Sequence, residues 1–215
     1  MKRTYMEACA GSMCHTMLDA VLRQAGKCRY RCPYNVGDCF FDSVSFVLRS
    51  LYGWQVQSSD VRQQAVGLMR EAMEEYELLQ RQFQQAAVEL TGQVLTDEEV
   101  YLQMMSSGRE RAISIAVSIE SIENANHIRY GVRDLRGYMT YMCKPASEGG
   151  LWADALIFPW VARTLNINLV VWESRSAQPI EAHMQSENGI CVEVARDGEH
   201  YEPVMPLMLC NMAPG

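Results

Sequence analysis

Cys39 follows the turn Asn35-Val36-Gly37-Asp38 and heads an amphipathic run. A thiol at a helix N-terminus faces unpaired backbone N–H groups and a partial positive charge, which favour thiolate over thiol. The same N–H groups can meet a developing oxyanion. Gly37, with no Cβ, lets a substrate backbone approach closely. These are a nucleophile's requirements, provided that a base lies within reach. The plainer alternative is a small apolar residue that begins a helix.

Four histidines could supply the base. His15 adjoins Cys14 in the first helical run, His127 sits in a polar linker, and His183 sits in a predicted strand. His200 follows the turn Asp197-Gly198-Glu199 and opens a strand, a rigid mount with acidic neighbours. Side chains at i and i+2 of a strand share a face. Glu202 can therefore meet His200, fix its tautomer and hold it as imidazolium.

The chain has 8 cysteines, and a metal is the obvious competitor for them. The nearest thing to a zinc set is Cys9, Cys14, His15, Cys28 and Cys32. Cys9 and Cys14 are five apart, Cys28 and Cys32 four apart, and His15 directly follows Cys14. That spacing is poor for chelation, so no metal and no cofactor are expected. The charged start Met1-Lys2-Arg3 is interrupted by Glu7, and no apolar stretch of a signal peptide follows. No run of about 18 apolar residues exists, so no membrane span is expected. The expected compartment is the cytoplasm, or the host cytosol for an effector of a pathogen, with the cysteines as thiols.

These residues need elements to hold them. Met17, Leu18, Val21 and Leu22 predict a first helix over 15–24, with Lys27–Tyr34 extended. Phe40, Phe41, Val44, Val47, Leu48 and Leu51 predict a helix from Cys39 that Gly53 closes. A long helical region follows from Ser58 toward Leu90. Thr96-Asp97-Glu98-Glu99 is a capping box for the next helix. Ile113–Ile122 and Leu135–Met142 read as further helices, and Ala155–Leu165 as one in which Pro159 makes a kink or the first turn. Asn168–Glu173, Pro179–Met184, Ile190–Ala195 and Tyr201–Met205 then read as short strands of an antiparallel sheet. The class is α+β.

At 215 residues, with 48% apolar and 21% charged side chains, the chain suits one domain with a sizeable core. Its net charge of −7 and pI near 5.2 argue against a partner bound by phosphate neutralisation, so no nucleic acid is expected.

Three blocks of the sequence resemble one family. Gly37-Asp38-Cys39-Phe40-Phe41-Asp42-Ser43-Val44 resembles the nucleophile box of the ovarian-tumour-type (OTU) cysteine proteases. His200-Tyr201-Glu202-Pro203-Val204 resembles their C-terminal box. Between them, Trp152-Ala153-Asp154, Leu165-Asn166-Ile167 and Val170-Val171-Trp172 resemble the Trp-Gly-Asp segment, its following helix and the central strand. The blocks stand in family order, and the nucleophile box looks more like divergent microbial and viral members than animal ones.

The resemblance implies a papain-like OTU fold: a small, mainly antiparallel sheet between helical layers, with a helical arm. A single catalytic domain would cover 1–215, with an N-terminal helical extension over 1–27 and the arm over 59–130. It also implies a thiol-dependent deubiquitinase that acts as a monomer on ubiquitin or polyubiquitin. Cys39 would attack the carbonyl after ubiquitin's Gly-Gly, His200 would serve as base, and Glu202 would orient it. Val36, Gly37 and Asp38 would form the oxyanion loop. Trp152 and Tyr201 would pack nearby, Trp152 close to the histidine strand. The family's Asp three residues before the nucleophile is Val36 here, and Asn35 or Asp38 could substitute. On the arm, Glu71, Glu74, Glu75 and Glu77 beside Met69, Met73 and Leu78 could meet ubiquitin's basic tail and apolar patch. The competing readings are a catalytically impaired ubiquitin-binding module, or another Cys–His hydrolase or acyltransferase.

Overall fold

The computed structural model describes residues 17–30, 37–124, 132–175, 178–183, 185 and 189–210. Helix α1 (Met17–Gln24) buries Leu18 and Leu22, one helical turn apart, against Ala195 and Val204 of the sheet. Strand β1 (Lys27–Arg29) follows. Helix α2 (Cys39–Tyr52) buries Phe40, Phe41, Val44, Val47 and Leu48, the stripe that its spacing predicts. Gly53 closes it in the left-handed region, at φ 69°.

Helix α3 (Ser58–Thr91) is 34 residues long, about 51 Å at 1.5 Å per residue. Its first half belongs to the main core through Val61, Ala65, Val66, Met69 and Ala72. Its outer half meets α4 (Asp97–Ser106) and α5 (Glu110–Asn124) around a satellite cluster of Leu79, Val100, Met104 and Ala112. The predicted capping box opens α4: Thr96 Oγ1 accepts from the Glu99 N–H, and the Thr96 N–H donates to the Glu99 carboxylate at 2.7 Å. Helix α6 spans Leu135–Met142, capped by Asp134. Helix α7 spans Phe158–Leu165, shorter than the predicted Ala155–Leu165. Pro159 lacks an N–H and suits a first turn, so 155–157 stay a turn.

The strands β2 (Asn168–Glu173), β3 (Gln178–His183), β4 (Cys191–Asp197) and β5 (His200–Pro206) join β1 in one sheet of order β1-β5-β4-β2-β3. The sheet is mainly antiparallel, as expected, with one parallel pair: β2 and β4 run parallel, from Asn168↔Cys191 to Glu173↔Arg196. β3 pairs antiparallel with β2 on its outer edge. The chain then returns to the inner edge in β2's own direction. Strand β5 serves two partners, β4 through His200–Pro203 and β1 through Val204–Pro206. The fold is α+β, with the sheet between α1 on one face and the layer of α2, α3, α6 and α7 on the other. Tyr201 and Met205 point into the main core, and Val204 points to α1.

One correction concerns the thiols. Cys28 of β1 and Cys210 of α8 (Leu207–Cys210) are joined as a disulfide across 182 residues. The sheet brings them together: Lys27 pairs with Pro206, and the Leu207 N–H donates to the Gly26 carbonyl at 2.8 Å. Closing so long a loop stabilises a fold by roughly 2–5 kcal/mol through the unfolded chain. Cys39, Cys143 and Cys191 are free thiols. Cys9, Cys14, His15 and Cys32 lie outside the described residues. Among the described residues, no group of three or more His, Cys, Asp or Glu could hold a metal. Among them, no helix is long and apolar enough to cross a membrane.

Candidate active site

Gly37 opens the site at φ 92°, a conformation that costs glycine little. A Cβ there would also overlap the Trp152 indole and the Ala146 methyl. Next, Asp38 takes the N-cap position of α2, yet its carboxylate does not cap its own helix. It pairs with Arg62 of α3 and accepts the Ala146 N–H at 3.2 and 3.3 Å. Asn35 and Val36 lie outside the described residues; of the two alternatives offered for the loop, the structure describes Asp38.

Cys39 is the first residue of α2 and only 2% exposed. Its Sγ accepts the Tyr201 N–H at 3.3 Å and lies 4.0 Å from the Glu199 carbonyl. One turn along the same face, Ser43 Oγ donates to the Tyr201 carbonyl at 3.2 Å. Helix α2 thus grips the backbone of β5 at both ends of Tyr201. The thiol touches the chain immediately before and immediately after His200.

Burial pushes the Cys39 thiol up, while the N–H groups of Tyr201, Phe40 and Gly37 pull it down and Asp42 adds to the rise. Burial wins. The helix N-terminus alone leads one to expect a lowered thiol, and the structure reverses that sign for the free protein. Alkylation of Cys39 by iodoacetamide is therefore expected to be slow at neutral pH. It should rise only at a pH above that of an ordinary cysteine, since the thiolate reacts. Peptide mass spectrometry against pH measures this. A rate that saturates on the acid side of an ordinary thiol would contradict it.

His200 opens β5 opposite Asp197 of β4. Tyr201 is core: its ring meets Phe40 at 5.3 Å and Phe158 at 6.0 Å between centroids. Glu202, 8% exposed, has its carboxylate 3.3 Å from Nη1 of Arg29 on β1. Of the other histidines, His183 lies in β3 opposite Leu169, with β2 and β4 between it and β5. His15 and His127 lie outside the described residues.

Trp152, which the resemblance put near the histidine strand, has its indole against Gly37, on the loop side of Cys39. Its neighbour Ala153 reaches β5, with its carbonyl 3.5 Å from the Tyr201 hydroxyl. Asp154 accepts from the Tyr138 hydroxyl at 2.7 Å and anchors the segment to α6.

The residue that sequence reasoning missed is Arg62. It is 2% exposed, and its guanidinium lies 4.2 Å from the Phe41 ring centroid. Nη1 donates to the Met142 carbonyl at 2.8 Å and the Leu151 carbonyl at 2.9 Å, and Nη2 pairs with Asp38. Burial pulls the guanidinium down from its ordinary value, and Asp38 opposes that pull. One cation thus ties together the loop, the end of α6 and the Trp152 segment. The signal was a single Arg within the apolar stripe Val61, Ala65, Val66 and Met69. A cavity of about 370 Å³ behind the loop is lined by Asp38, Phe41, Arg62, Lys144 and Pro145. Cys39 does not line it.

The arm face expected to meet ubiquitin is partly consumed internally. Met69 is buried and Met73 packs on the main core. Glu75 pairs with Arg111 at 3.1 Å, and Glu77 pairs with Arg136. Glu71, Glu74 and Leu78 remain exposed.

No family model matches the sequence, and no curated protein sequence matches it. The likeness lies in the fold. An OTU deubiquitinase from Wolbachia pipientis wMel, solved bound to ubiquitin, aligns over 86% of this chain and 98% of its own, with a TM-score of 0.50 and 14% identity. The chain has a divergent OTU-like fold. The OTU domain of OTUD1 aligns over 87% of this chain and 91% of its own, at 15% identity and a TM-score of 0.47. The viral OTU protease of Farallon virus aligns over 86% of each chain, at 16% identity and a TM-score of 0.44. On this OTU-like scaffold, Cys39 begins α2 and His200 begins β5, and the two elements touch at Tyr201.

Proposed function

We propose that the protein is a thiol-dependent deubiquitinase that hydrolyses the isopeptide bond after ubiquitin's Gly-Gly. The observation that carries the reading is the seat of Cys39 Sγ, at the head of a helix and against the backbone on both sides of His200. In the reaction, His200 takes the thiol proton as Sγ adds to the carbonyl carbon. The oxyanion faces N–H groups at the head of α2. Collapse breaks the C–N bond, and His200 passes its proton to the departing lysine amine. A water deprotonated by His200 then attacks the thioester and releases Cys39. Glu202 orients His200. The −7 charge suits a substrate with a basic tail. The protein acts in the cytoplasm, or in the host cytosol if a pathogen delivers it, and there the Cys28–Cys210 pair is held reduced, its bond forming only under oxidising conditions.

Because Cys39 is buried, productive binding of ubiquitin's tail includes exposure of Sγ. A ubiquitin probe with a C-terminal electrophile tests the reading. Covalent labelling mapped to Cys39 by mass spectrometry is the expected result. Ubiquitin binding without labelling would make the protein a binding module. The absence of both would point to a different Cys–His hydrolase or acyltransferase.

A further inference from the structure

Arg29 of β1 is a nearly buried cation, with 4% of its side chain exposed. Its Nε and Nη2 donate to the two carboxylate oxygens of Asp19 on α1, at 2.7 and 2.8 Å. Its Nη1 lies 3.3 Å from Glu202 Oε2 and 3.4 Å from Asp197 Oδ2. Asp197 stands opposite His200 in the β4–β5 ladder. Glu202 follows His200 by two residues on β5 and so shares its face. One guanidinium therefore gathers carboxylates from α1, β4 and β5 beside the histidine. A fourth acid, Glu199, stands in the connecting turn.

We propose that Arg29 is a positioning residue of the Cys39–His200 reaction. It fixes Glu202 and Asp197 beside His200 and offsets their negative charge, and Asp19 locks the guanidinium in place. This rests on the reading of Cys39 and His200 given above. The planar fork matters, because it serves Asp19 from one edge and the two site carboxylates from a nitrogen on the other. Asp19 makes helix α1 part of the site.

The test is the rate of ubiquitin-probe labelling between pH 5 and 9, at saturating and subsaturating probe. Removing a cation beside a base strengthens the base, and removing an anion weakens it. Arg29→Met should lower the saturating rate about tenfold and move the acid limb to higher pH. Asp19→Asn should move that limb to lower pH. Arg29→Lys should restore the position of the limb but not the full rate. The half-saturating probe concentration should stay unchanged throughout. Limbs that do not move in either variant, with loss of rate explained by loss of folded protein, would overturn the proposal. If Arg29→Met does not fold, Asp19→Asn decides, because it keeps its shape and leaves Arg29 paired with Glu202 and Asp197. Wild-type protein that never labels would overturn the underlying reading instead. Wild-type labelling with unmoved limbs would overturn this proposal alone.

Discussion

Cys39→Ala is expected to abolish cleavage of di-ubiquitin, by roughly 10⁴-fold or more, while ubiquitin binding survives. The substitution removes one buried sulfur and leaves the Tyr201 N–H without its acceptor. Together these should cost about 1–2 kcal/mol of stability, too little to unfold an ordinary domain. Loss of activity with retained fold and retained binding is thus the signature of a nucleophile. His200→Ala should be nearly as severe. Glu202→Ala should be milder, since an orienting group contributes less than the pair it serves. Gel-based cleavage and a denaturation curve on each variant are the measurements. Persistent cleavage by Cys39→Ala would remove this thiol from the mechanism.

Arg62→Ala should produce the largest loss of stability of any single change near the site. The guanidinium is buried, and it satisfies the Asp38 carboxylate and the carbonyls of Met142 and Leu151 at once. Breaking a buried ion pair by deleting one partner costs about 3–5 kcal/mol, because the other charge is left uncompensated. Here the remaining charge sits on the loop before the nucleophile, so labelling of Cys39 should fall with the melting temperature. Arg62→Lys should recover only part of the loss, since an ammonium cannot span three acceptors held by a planar fork. Urea midpoints with an unchanged slope would measure this cleanly. A loss below about 1 kcal/mol for Arg62→Ala would mean that the loop is held by Gly37 and Trp152 instead.

The elements legible in the sequence were those with local causes. The stripe from Phe40 to Leu48 with Gly53 behind it, and the Thr96–Glu99 box, are patterns within one or two turns, and they appear where expected. Cys39 and His200 could be picked out because each sits at an element boundary with its own signature. What could not be read depends on pairs far apart in the chain. Arg62 pairs with Asp38 only because α3 packs across the head of α2, and no spacing announces that. The parallel β2–β4 pairing and the Cys28–Cys210 bond follow from strand order, which local alternation does not encode. The sign of the Cys39 shift was missed for the same reason. The helix N-terminus is local and pulls the thiol down, whereas the burial that overrides it arises from tertiary packing that no local pattern encodes.

The division of β5 between two partners has a consequence for synthesis. A chain leaves the ribosome N-terminal end first, and its early elements wait for late ones when their contacts are long-range. The candidate nucleophile emerges early, but the N–H that seats its sulfur belongs to residue 201, and Arg29 receives Glu202 at the same late moment. The strand that completes the sheet next to β1 is the same one. A nascent chain stopped short of β5 would therefore carry the thiol without its cradle. The candidate chemistry is completed in one late step, when β5 pairs with β4 and with β1 together.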